Sequence, residues 1–175
     1  MPPDLIRGAR TILRPVTPGD LDLLHGWLND PEVYRYWGGF PHSREQVEEQ
    51  YTGQRAPDVA GFIVEADGVP IGYLQYWLAD EKSGGLDMYL IPSKRGQRLG
   101  PDAARAAVRY VMDELGWQRV TVDPAADNHG GIRGWERAGF VYEQDWPDHP
   151  DGPAVLMAIE RSTHAPEDRA DREEP

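Results

Sequence analysis

The 175-residue sequence predicts one domain that mixes helices and strands, α+β or α/β. Three observations point there. Strand-like and helix-like patterns follow one another in the order β-α-α-β-β-β-α-β-α-β-β. Neither an internal repeat nor a linker interrupts residues 1–161. The stretch Leu86–Leu115 reads as a strand, a basic glycine-bearing loop and a long amphipathic helix.

Thr11–Val16 is the first expected strand. Thr17-Pro-Gly-Asp20 opens a helix, with Thr17 as cap and Pro18 in the first turn. Leu21, Leu24, Trp27 and Leu28 share a face, and Asn29-Asp-Pro31 ends that helix. Ser43-Arg-Glu-Gln46 is a capping box that starts a second helix, with Val47 and Tyr51 inward. Phe62–Ala66 and Val69–Leu78 form a hairpin through the turn Asp67-Gly68. Gly84-Gly85 precedes the strand Leu86–Ile91. From Pro101 a helix carries Ala104, Ala107, Val108 and Val111 at helical spacing. Arg119–Val122 is a short buried strand, Gly130–Ala138 a helix stopped by Gly139. Phe140–Tyr142 and Ala154–Ile159 are the closing strands, around Asp151-Gly152-Pro153.

Composition removes several classes. There is no cysteine, so disulfides, zinc-thiolate sites and cysteine nucleophiles are excluded. The histidines make no metal pattern, and no metal is expected. The net charge of -12 argues against nucleic acid and suits a cationic small-molecule partner, or solubility alone. Residues 162–175 hold five acids against two arginines, and this polar, aromatic-free tail is expected to be disordered. No signal peptide or membrane span is recognisable, so a cytoplasmic protein without a membrane partner is expected, as monomer or homodimer.

The chemistry concentrates at Arg95-Gly-Gln-Arg-Leu-Gly100. A strand before and a helix after direct backbone N–H groups to one spot, where a diphosphate would bind. Arg95 and Arg98 add charge, Gly96 and Gly100 allow close approach, and Gln97 and Leu99 add backbone donors. Pro101 has no N–H to give. The same residues also suit an ordinary basic connection. Asp87 stands on the strand that feeds the loop. A carboxylate there attracts an ammonium and can take its proton, or it pairs with an arginine.

Ile91–Gly100 resembles the coenzyme A pyrophosphate loop of the GNAT N-acetyltransferase superfamily, with Arg98 in place of the first motif glycine. Asp123-Pro-Ala-Ala-Asp-Asn128 followed by Trp135-Glu-Arg-Ala-Gly-Phe140 resembles the superfamily's next strand and helix. Tyr36-Trp-Gly-Gly39, Gly68–Tyr73, Gly85-Leu-Asp87, Thr121–Pro124 and Pro150–Val155 are similar to aminoglycoside 6′-N-acetyltransferases of the Ib type. The resemblance implies an α+β fold in α/β/α layers. Its central sheet is mixed, mostly antiparallel and split by a coenzyme A cleft.

The implied activity is transfer of an acetyl group from acetyl-CoA to a primary amine of a cationic small molecule, an aminoglycoside above all. The resemblance makes Asp87 the residue that binds or deprotonates the amine. It gives the coenzyme the backbone of Tyr89, Leu90 and Ile91, the loop Arg95, Gly96, Gln97, Arg98, Leu99 and Gly100, and Asn128. It lines the acceptor cleft with Trp37, Asp87, Asp123 and Asp151. By local sequence Asp123 and Asp151 are equally turn residues, and Trp37 equally a core residue. Trp135 stands where many relatives carry a tyrosine acid. Either the thiolate leaves unaided, or water or another tyrosine such as Tyr89 or Tyr142 serves. Rival readings are an N-hydroxylysine acyltransferase, a protein or peptide acetyltransferase, and a non-catalytic acyl-CoA-binding module.

Overall fold

The computed structural model describes residues 5–162. The expected acidic tail lies, after Ser162, outside the described residues. Eight strands and five α-helices follow in order. They are β1 (Ile6–Arg7), β2 (Ile12–Pro15), α1 (Leu21–Trp27), α2 (Pro31–Tyr34), α3 (Arg44–Tyr51), β3 (Val59–Ala66), β4 (Val69–Asp80) and β5 (Ser83–Leu90). Then come α4 (Leu99–Asp113), β6 (Arg119–Val122), α5 (His129–Ala138), β7 (Val141–Trp146) and β8 (Ala154–Glu160). Among the described residues no helix is long and apolar enough to cross a membrane.

The strands form one sheet in the order β1-β2-β3-β4-β5-β6-β8-β7. Every neighbouring pair is antiparallel except β5 and β6, which are parallel. A parallel neighbour needs a crossover, and α4 supplies it. Alternation along the strands feeds two cores, one on each face of the sheet. Phe62, Leu74, Leu86 and Leu90 meet Ala103, Ala107 and Val111 of α4 on one face. Ile63, Tyr73 and Tyr89 meet Leu24, Leu28 and Val47 of the N-terminal helices on the other. The layers are therefore helix, sheet, helix.

Local sequence explains most elements. Asp67 and Gly68 both take positive φ, 52° and 73°, as the two-residue hairpin turn requires. Ser43 caps α3, its hydroxyl accepting from Gln46 N at 3.2 Å. Gly139, at φ 105°, ends α5. Three details differ from expectation. The stretch after Asp30 is a short helix rather than a stop, because the Asp30 carboxylate caps it through Glu32 N. β1 adds a two-residue strand too short to carry a periodic signal. α4 starts at Leu99, two residues ahead of Pro101, which sits inside the first turn where its missing N–H does no harm.

The start of α4 is tied to the β1–β2 turn by one carboxylate. Asp102 accepts from the backbone N–H of Ala9, Arg10 and Thr11 at 3.1, 2.9 and 2.9 Å, and from the Thr11 hydroxyl at 2.7 Å. A Cβ on Gly8 would lie 2.3 Å from the same carboxylate, so only glycine fits there. Burial alone would raise the Asp102 pKa, but the four hydrogen bonds outweigh it and hold the carboxyl below its ordinary value. Such a group stabilises the fold at neutral pH, and the contribution is lost as pH falls through its folded-state pKa. Asp102→Ala strands three backbone donors and should cost about 3 kcal/mol in urea unfolding at pH 7. The difference from the parent should shrink in acid. An unfolding midpoint equal to the parent's at pH 7 would contradict this.

Candidate active site

The site grows from a divergence between β5 and β6. They pair at only three positions, Ser83 with Arg119, Gly84 with Val120 and Gly85 with Thr121. Beyond Gly85, β5 stays with β4: Tyr89 faces Tyr73, Leu90 faces Gly72, and Ile91 N donates to Ile71 O at 2.9 Å. Beyond Val122, the other chain stays with β8: Val155 N donates to Pro124 O, and Ala126 N to Pro153 O, both at 2.9 Å. The upper edge of β5 is thus left without a strand partner. Hydrogen bonds of an antiparallel pair alternate in direction. Since Ile91 points to β4, Tyr89 does too, and Leu90 points its N–H at the open edge. Of the three backbone donors expected from Tyr89, Leu90 and Ile91, the geometry leaves only Leu90 free for a ligand.

Past Ile91 the chain turns through Pro92–Lys94 into the loop before α4. The backbone N–H groups of Gly96, Gln97, Arg98, Leu99 and Gly100 find no acceptor among the described residues. They cluster at the N-terminus of a 15-residue helix, where the dipole favours negative charge. Gly96 takes φ 73°, and Arg98 takes φ 61° as the cap of α4. Arg98 stands in the left-handed region that glycine occupies without strain, at a cost of about 1 kcal/mol. Gly100 packs over β5, where a Cβ would stand 3.4 Å from the Met88 side chain, in ordinary contact. Arg95 has two partners within the fold. Its Nε donates to Leu90 O at 3.0 Å and an Nη to Glu32 O at 2.8 Å. That guanidinium fastens the loop to β5 and α2 through neutral carbonyls, which leaves its positive charge uncompensated beside the loop.

On the face of β5 that carries the N-terminal helices, two residues before Tyr89, is Asp87. One donor serves it: Gln75 Nε2, 2.8 Å from Oδ2. Gln75 is itself buried and accepts from the Tyr73 hydroxyl at 3.2 Å. No arginine pairs with Asp87 among the described residues. Burial raises its pKa, the Gln75 hydrogen bond lowers it, the negative charge of Asp123 raises it, Arg55 lowers it and Asp151 raises it. The net result is a value pushed up to about 6. The structure therefore brings the three expected carboxylates into one electrostatic field.

The remaining expected residues divide. Trp37 joins Tyr51, Tyr73 and Tyr89 in an aromatic cluster, 4.9 Å from the Tyr89 ring, and its indole N–H donates to the Tyr51 hydroxyl at 3.0 Å. It is both packed and partly exposed. Asn128 caps α5, Oδ1 accepting from Gly131 N at 3.0 Å. Its side-chain oxygen is committed to the helix, which leaves the amide nitrogen for anything else. Trp135 is core, packed edge-on against Phe140 at 5.2 Å. The two tyrosines considered in its place are ill-suited as acids. Burial raises the Tyr89 pKa well above its ordinary value, and the exposed Tyr142 donates to Asp145 at 3.3 Å on β7.

Three residues at the site escaped the sequence. Gln75 is the polar residue in the apolar run Ile71–Leu78, a signal that was readable. Trp77 lays its indole where a Cβ of Gly85 would stand, 2.3 Å from that position, and walls the same face as Gln75 and Asp87. His149 lies between Asp123 and Asp151: its Nε2 is 2.9 Å from Asp123 Oδ2, and its Nδ1 accepts from Asp151 N at 3.1 Å. Its partner Asp123 is 26 positions away, so no local pattern marks it. Asp151 also proves a turn residue, in the bend closed by Gly152 N to His149 O at 3.0 Å.

Comparison with known proteins agrees with this geometry. The sequence profile of the GNAT acetyltransferase domain matches residues 10–141. An aminoglycoside N(6')-acetyltransferase type 1 of Klebsiella pneumoniae is 32% identical over 166 residues, covering 85% of this chain and 82% of the relative. A solved structure of AAC(6')-Ib with paromomycin and acetyl-CoA superposes with a TM-score of 0.80 at 32% identity, covering 87% of this chain and 94% of that one. Another, with coenzyme A and kanamycin, gives 0.78 at 31%, covering 86% and 95%. By profile, sequence and fold alike, this chain belongs to the GNAT acetyltransferase family.

Proposed function

We propose that the protein acetylates a primary amine of a cationic aminoglycoside-like molecule, with acetyl-CoA as acetyl donor. One observation carries this reading: a single-donor carboxylate, Asp87, stands at the mouth of the opened sheet with two further carboxylates in its field. The relatives' acceptors and coenzymes, aminoglycosides and coenzyme A, support it.

The open loop fits a diphosphate: five consecutive N–H groups without a protein acceptor and a helix N-terminus suit an anion, and the space beside Gly96 is open. Gly96, Gln97, Arg98, Leu99 and Gly100 would hold it there. The pantetheine arm would lie along the unpaired edge of β5. When bound, the coenzyme supplies an activated thioester. Leu90 N–H would donate to the thioester carbonyl and favour charge on its oxygen as the amine adds. Asp123 and Asp151 draw the polycation in. Asp87 then accepts the proton that an ammonium must lose before its nitrogen can attack. The nitrogen–carbon bond forms, the nitrogen gives its second proton to solvent, the carbon–sulfur bond breaks, and no acyl-enzyme intervenes. With Trp135 in the core, the sulfur departs as thiolate, a form a thiol of ordinary pKa near 8.5 reaches easily at neutral pH.

Thiol release from acetyl-CoA across an amine panel tests the reading. Kanamycin and tobramycin should turn over, whereas N-hydroxylysine and an alanine-ended peptide should not. Turnover confined to the latter pair would overturn it. Asp87→Asn should lower kcat/KM by about 100-fold or more. The parent's kcat/KM should fall with unit slope below about pH 6, as Asp87 takes up a proton and ceases to be a base. A flat profile from pH 5 to 7 would contradict that role.

The same substitution should stabilise the protein. An acid whose folded pKa exceeds its unfolded one disfavours folding once pH rises through that window, between 3.8 and about 6 here. At pH 7 Asp87→Asn should gain about 2–3 kcal/mol in denaturant unfolding. The gain should vanish by pH 4, and a loss of stability at pH 7 would refute the assignment.

A further inference from the structure

We propose that His149 is a positioning residue for the acceptor cleft. It fixes the Asp123 carboxylate without cancelling its charge, and so sets affinity for the cationic amine. The inference deepens the acetyltransferase reading above and rests on it.

The geometry fixes the ring's tautomer. Nδ1 accepts the Asp151 backbone N–H at 3.1 Å, so it carries the lone pair. The ring hydrogen is then on Nε2 and is donated to Asp123 Oδ2 at 2.9 Å. Trp146 braces the ring edge-on, with centroids 4.6 Å apart. The ring's turn is closed by Gly152 N to His149 O. The His149 side chain is 13% exposed and that of Asp123 28%. A half-buried, braced donor thus meets a more exposed carboxylate.

The choice of partner matters. An arginine or lysine on Asp123 would hold it equally well but remove the negative charge that a polycation seeks. An imidazole in this tautomer gives one hydrogen bond and no countercharge. Asp123 keeps its charge, and its Oδ1, which has no partner among the described residues, stays available. Holding the carboxylate in place before the ligand arrives removes part of the ordering cost of binding. The ring also ties the Asp123 carboxylate, just after β6, to the Asp151 backbone in the β7–β8 turn. Neither ring nitrogen is free to take a proton from the substrate amine, so His149 acts through Asp123 and not on the reaction itself.

Calorimetric titration of the full-length protein with kanamycin, and separately with coenzyme A, tests this. Glutamine places its amide nitrogen near Nε2 and keeps the donor to Asp123. Asparagine reaches only as far as Nδ1, keeping the acceptor for Asp151 N–H and losing Asp123. His149→Gln should bind kanamycin within about threefold of the parent, and His149→Asn about tenfold more weakly. Asp123→Asn with His149→Asn should bind no more weakly than Asp123→Asn alone, because the histidine works through that carboxylate. Coenzyme A affinity should be the same in all. Equal kanamycin affinity in His149→Asn, additive losses in the double variant, or a parallel loss of coenzyme A affinity in His149→Gln would each overturn the inference. A parent that binds coenzyme A but no amine would instead remove the acceptor reading on which it rests.

Discussion

The strand β5 can keep only one continuous neighbour. Its ladder with β4 runs from the hairpin at Asp80 through to Ile71, whereas its ladder with β6 stops after Gly85. The two half-sheets, β1 to β5 and β6-β8-β7, are joined at that short seam and part above it. The seam is close-fitting. A Cβ on Gly84 would fall 2.0 Å from Trp77 O and 2.3 Å from the Trp117 ring, so glycine is what lets the strands meet. The Thr121 hydroxyl adds a bond to Gly84 O at 3.3 Å. An unpaired strand edge inside a fold is costly unless something else uses its donors. In this chain that edge leads to a further row of free N–H groups, from Gly96 to Gly100.

Two carboxylates show how environment divides labour. Asp102 receives four hydrogen bonds, lies below its ordinary pKa and holds the fold. Asp87 receives one, faces two like charges and lies above it. The first is satisfied and the second is held in a state that a cation or a proton would relieve. Perturbed groups of the second kind gather at reactive sites. In this account that tension, together with the free N–H groups, draws amine and coenzyme to the same open edge of β5.

Much of the fold was legible. Asp67-Gly68, Ser43 to Gln46 and Gly139 are chemical punctuation whose effect is local. The resemblance of Asp123–Asn128 and Trp135–Phe140 to a known family supplied the topology that local signals lack. What stayed hidden depends on contacts far apart in sequence. Asp102 meets residues more than 90 positions away, and His149 meets Asp123 across 26. Backbone direction was hidden too: the expected donors of Tyr89 and Ile91 turn toward β4 because pairing parity, not residue type, decides it. Arg95 was read from its charge alone, and its two carbonyl partners, brought by α2 and β5, could not be foreseen from local sequence.

The central claim is that the free donors along the β5 edge and the α4 loop form the coenzyme site. Amide hydrogen exchange resolved by residue, with and without saturating coenzyme A, tests it most directly. The account predicts slowed exchange at Leu90 and from Gly96 to Gly100, with Ile91 unchanged because its N–H is already held by Ile71. Exchange at Leu90 and Gly96–Gly100 that is unaltered by bound coenzyme A would contradict it.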